Sequence, residues 1–164
     1  MQRRRLIGLS AAFLLGSCLA ARAQDVAEPT HAQQVLPREK LVIVSKGGVR
    51  HVFEVEVVRT PEQQTTGLMF RKSVAADQGM LFPWGSAIES QMWMKNTLVP
   101  LDMVFIGADG TIHRIAEDAV PQSLAVISSD GPVVATLELQ GGITAKLGIL
   151  VGDHVLCKAL GTTP

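Results

Sequence analysis

Cysteine is scarce in this chain: 164 residues carry two, Cys18 and Cys157. Cys18 lies in the apolar start, so an exported product would keep one thiol and could form no internal disulfide, which leaves core packing to hold the domain. The four histidines, His31, His51, His113 and His154, fall in no His-x-His or His-Glu-x-x-His spacing, so no metal site is read from them. A Gly-x-Ser-x-Gly elbow and a Walker loop are also absent. Nothing in the sequence points to a cofactor. The longest apolar stretch, Leu6 to about Ala20, is broken by Gly and Ser and falls short of the roughly 20 apolar residues of a membrane span.

What is present begins with an export signal. Arg3, Arg4 and Arg5 precede the apolar stretch, and Ala21-Arg22-Ala23 places small residues where a signal peptidase needs them. Cleavage after Ala23 is predicted, and with it a periplasmic or secreted product. Leu15-Gly16-Ser17-Cys18 resembles a lipobox, in which Cys18 would carry a lipid anchor, and the leading arginines resemble a twin-arginine signal. Taking the four leader arginines from 15 basic side chains leaves 11 against 15 acidic ones, a net of −4. That sign argues against a nucleic-acid partner and against electrostatic docking on an anionic membrane. Oligomeric state is not legible.

Residues 24–39 mix small, polar and proline residues without periodicity and read as a linker, followed by one globular domain over residues 40–160. Leu41 to Ser45 and Val49 to Val58 form a hairpin about Lys46-Gly47-Gly48. Thr60-Pro61-Glu62-Gln63 is a capping-box start for a short helix reaching about Met69. Short strands are expected at 79–82 and 91–95, then at 101–106 and 111–116 about Asp109-Gly110, and at 133–139. Ile143 to Leu147 is read as a helical turn, and 154–160 closes the domain. The predicted fold is α+β, mainly antiparallel β, with a barrel-like sheet and two short helices.

Gly67-Leu68-Met69-Phe70-Arg71, Gly79-Met80-Leu81-Phe82, Trp93 to Thr97, Pro100-Leu101-Asp102, Asp109-Gly110, Leu137-Glu138-Leu139 and Gly148 to Val155 follow one another in the chain. In that order they resemble the domain of unknown function 192 family, over residues 50–158. The resemblance implies a small bacterial or archaeal protein, in many members exported, and no assigned biochemical role. Gly152-Asp153 between apolar runs also resembles the turn of cradle-loop barrels, where the Asp caps the bend; an ordinary turn role for Asp153 is the favoured reading.

Five polar residues stand out as a candidate site for a small polar molecule: Arg71, Lys95, Asn96, Asp102 and Glu138. Lys95, Asn96 and Asp102 bracket a junction between two apolar strands, where they can bind a ligand or simply make the bend, with Lys95 and Asp102 paired across it. Glu138 interrupts an apolar strand, a costly position unless the acid is paired with Arg71 or Lys95 or serves a site. The leading reading is a ligand-binding or accessory module. An alternative is a hydrolase or lyase with Asp102 as base and Lys95 as electrostatic stabiliser. A third is periplasmic Cu(I) binding through Met92 and Met94, against core gap-filling by flexible methionine. Gly141-Gly142 offers backbone N–H groups to an anion, or makes a tight turn.

Overall fold

The computed structural model describes residues 28–164. The cleavage site at Ala23 and the lipobox cysteine Cys18 lie outside the described residues. Seven strands form one curled sheet: β1 (Arg38–Val44), β2 (Arg50–Val57), β3 (Gln78–Met92), β4 (Leu101–Ile106), β5 (Ile112–Ala119), β6 (Ile127–Gln140) and β7 (His154–Cys157). Two short helices, α1 (Pro61–Thr66) and α2 (Ile143–Leu147), interrupt them. The spatial order is β5-β4-β6-β3-β2-β1-β7. A lone bridge between Thr111 and His154 ties the start of β5 to β7 and curls the sheet into a half-barrel. No helix among the described residues is long and apolar enough to cross a membrane.

All pairings are antiparallel except β2 with β3, which is parallel. A parallel neighbour needs a crossover, and residues 58–77, with α1 inside them, supply it. Thr60 caps α1 as expected: the Gln63 N–H donates to Thr60 Oγ1 and the Gln63 side chain accepts from the Thr60 N–H. The helix is shorter than predicted, because Gly67 turns to φ +47° and ends it after Thr66.

The largest departure from expectation is the length of β3 and β6. The strands expected at 79–82 and 91–95 are joined in β3, and β6 starts before 133; they run through Pro83, Gly85, Gly131 and Pro132, and register shifts between Pro83 and Ile88 and between Glu89 and Gln91 absorb these residues. Bulges of this kind admit the extra residues while the ladder goes on. β3 consequently ends at Met92, and Lys95 lies in a turn rather than in a strand.

The sheet is apolar on both faces. Its concave face encloses a core that includes Leu41, Phe53, Leu81, Val104, Leu137 and Val155. Its outer face carries a second core, including Val58, Leu68, Met80, Phe82, Met94 and Met103, which the crossover and the segment after β3 cover. Strand alternation therefore sends Leu137 and Leu139 inward and Glu138 outward, into the second layer.

Candidate functional site

Glu138 pairs across the ladders with Met80 on β3 and Met103 on β4, so the three side chains share the outer face of the sheet. The residue is 5% exposed, and its Oε2 finds no hydrogen-bond partner among the described residues. Burial alone pushes the carboxyl up to about 8, so at neutral pH it is mostly the uncharged acid. Gly79 allows the close packing at this point, since a Cβ there would stand 2.4 Å from the Glu138 carbonyl oxygen and 2.7 Å from Leu139 Cδ2.

Above Glu138 opens a cleft of about 300 Å³. Its near wall is the end of α1 and the following turn, Gln64 to Met69, and its far wall is Phe82, Trp84 and Gln91 to Trp93, with Thr97 at the side. Trp84 is fixed by an N–H bond to Thr136 Oγ1 at 3.3 Å and by stacking on Phe82 with ring centroids 6.0 Å apart. Trp93 is half exposed at the rim, with the Lys95 ammonium 5.4 Å from its ring centroid. Glu138 is the one ionisable side chain on the lining among the described residues. An aromatic- and thioether-walled cleft that also presents the amides of Gln64 and Gln91, threonine hydroxyls and one acid of perturbed pKa can hold a small molecule.

Of the five residues singled out from the sequence, Glu138 alone lines this cleft. Arg71 does not reach it: its Nη2 bonds Glu56 Oε2 at 3.0 Å, and the Leu36 N–H donates to the same oxygen at 2.8 Å. Glu56 sits beside Met80 on the same face as Glu138, one strand beyond β3, so the sheet carries two buried acids in a row and gives the arginine to one of them. The expected Arg71–Glu138 and Lys95–Glu138 bridges are replaced by these contacts and by an ion pair between Lys95 and Glu28. Asn96 adopts φ +56° in the turn after Met94 and points its amide at Met69 Sδ, 3.8 Å away.

Asp102 is fully buried and pairs with Glu138's neighbour Leu139 on β6, facing the barrel interior. Its Oδ1 accepts the N–H groups of Asp118 and Gly142 at 2.9 and 2.8 Å, and its Oδ2 accepts the Thr144 N–H and Oγ1–H at 2.9 and 2.6 Å. The pairing with Lys95 expected across the bend does not form. The anion that the Gly141-Gly142 turn receives is the chain's own Asp102. Asp153 likewise spends its carboxylate on the Leu150 and Lys46 N–H groups and on Ser45 Oγ, the turn role that its sequence context suggested.

Met92 and Met94 are not alternate residues of one strand, because β3 stops at Met92; Met94 is fully buried in the outer core, and Met92 lines the cleft. Among the described residues no three His, Cys, Asp or Glu side chains gather in a metal-binding group. Trp84 and the 64–68 rim escaped sequence reasoning. The signal was there: the chain has two tryptophans and no tyrosine, and both tryptophans flank the same polar stretch.

A seven-stranded half-barrel with an acid-floored cleft on its outer layer defines the class. The chain belongs to the DUF192 family, "Uncharacterized ACR", whose model matches residues 42–157. It is similar in structure to a Sinorhizobium meliloti protein described as a "putative transcription regulator", with a TM-score of 0.75 and 41% identity over 78% of this chain and 99% of that one. It is also similar to a protein of unknown function from Novosphingobium aromaticivorans, with a TM-score of 0.72 and 37% identity over 85% of this chain and 99% of that one. No curated protein matches the chain.

Proposed function

We propose that this protein is an exported binding module that holds a small ligand in the cleft over Glu138. One observation carries the reading: Glu138 lines an open cleft, and its buried Oε2 has no partner among the described residues. An orphaned buried oxygen costs about 1–3 kcal/mol, and a ligand that supplies the missing hydrogen bond recovers that cost on binding. The rigid ladder at Met80 and Met103 holds the acid in place, while the 64–69 turn and the 91–97 segment form the walls. Export rests on the basic, apolar and Ala-x-Ala start of the chain. Thermal-shift screening of the mature domain against a metabolite library tests the binding role. Hits are expected with the parent and should be lost in Glu138→Leu; hits that Glu138→Leu leaves unchanged would remove the reading. N-terminal sequencing of the secreted product should begin at Gln24, whereas a lipidated Cys18 start would place the protein on a membrane.

A further inference from the structure

We infer that the ligand of this cleft is a small organic ammonium compound with an apolar body. The inference rests on the cleft being a binding site and adds the chemical class of its occupant. Among the described residues the lining has one acid, Glu138, and no cation, with the indoles of Trp84 and Trp93, the thioethers of Met69 and Met92, and neutral amide and hydroxyl groups. Above about pH 8 an anion would meet the Glu138 carboxylate with no counter-charge among the described residues. An ammonium ion would donate to the Glu138 carboxylate, neutralise it and lie against aromatic faces, which attract cations through their quadrupoles. The chain already makes this contact once at the rim, where the Lys95 ammonium lies over Trp93 and is closed by Glu28.

The charges around the cleft leave Glu138 free for such a partner. The 64–69 turn adds no ionisable side chain, and Lys95 of the 93–97 segment is turned to Glu28. In the same sheet row, Glu56 holds Arg71, and Met80 and Met103 of the neighbouring strands are uncharged. From β4, Asp102 faces the opposite side of the sheet and is bonded to the 142–144 turn. Glu138 is mostly protonated below about 8, so capture of an ammonium ion releases that proton to solvent and leaves a carboxylate–ammonium pair. Affinity should then rise about tenfold per pH unit between pH 6 and 8 and level off above it.

The test is calorimetric titration of the full mature chain with four probes of similar shape: 2-phenylethylamine, its trimethylammonium analogue, phenylacetamide and 3-phenylpropionate. 2-Phenylethylamine should bind at pH 8 at least tenfold tighter than the amide, with the pH slope described above and the anion silent; the trimethylammonium analogue, which keeps the charge and the aromatic contact but has no N–H to donate, should bind between the two. Glu138→Gln should abolish the slope and weaken the cations tenfold or more; the slope of the parent protein tests the same point without any variant. Binding of the amide or the anion as tightly as the cations would overturn the ammonium assignment and leave the cleft standing as a site. Failure of all four probes to bind would overturn the assignment for this shape of ligand and, joined to a blank metabolite screen, the cleft reading with it.

Discussion

Asp102 and Thr144 are joined twice, through the Thr144 N–H at 2.9 Å and its hydroxyl at 2.6 Å, both to Asp102 Oδ2. With Gly142 N–H on Oδ1 at 2.8 Å, the carboxylate stands in for the missing side-chain cap of α2 and fastens that turn to the mouth of the barrel. Asp102→Asn exchanges an acceptor for an amide that must face N–H donors. It should destabilise the protein by on the order of 3 kcal/mol. A urea melt should show a lower midpoint at unchanged slope; an unchanged midpoint would mean that the buried bonds contribute nothing.

Glu138 makes stability depend on pH with a definite sign. Burial raises its folded-state pKa from 4.5 to about 8, so the folded protein binds the proton more tightly than the unfolded chain does. The favourable contribution is complete below about pH 4.5 and is lost as pH rises towards 8. The loss over that window amounts to on the order of 5 kcal/mol. Glu138→Gln cannot titrate, so its stability relative to the parent should rise steadily across this window. Parallel melts of the two proteins at several pH values check this, and a constant difference would contradict it.

Gly79 sets the spacing under the cleft. An added Cβ would collide with the Glu138 carbonyl at 2.4 Å, and the obstacle is backbone that cannot swing aside. Gly79→Ala should therefore cost about 1–3 kcal/mol by forcing β3 and β6 apart. It should also weaken whatever binds over Glu138, a pairing of effects that denaturant melts and ligand titrations on the same variant would reveal.

Local chemistry was the legible part of this sequence. The Thr60 capping box, the Asp109-Gly110 hairpin and the Asp153 bond to the Leu150 N–H depend on residues within a few positions of one another, and all three form. The lengths of β3 and β6 were not legible, because a ladder between strands distant in sequence carries them through Pro83, Gly85, Gly131 and Pro132 by way of bulges. The same distance effect governs the charges. Glu138 is visibly out of place in its apolar strand, but the choice of Arg71 for Glu56 and of the 142–144 turn for Asp102 depends on a parallel β2–β3 pair and a curled sheet that no local pattern encodes.

The cleft itself can be watched directly, because both tryptophans of the chain line it. The most direct measurement is a two-dimensional NMR spectrum of the ¹⁵N-labelled mature domain, recorded with each ligand that a metabolite screen returns. The indole N–H signals of Trp84 and Trp93 should both move on binding, and the movement should vanish in Glu138→Leu. Ligands that bind while leaving both indoles in place, with shifts gathered elsewhere on the barrel, would contradict the account.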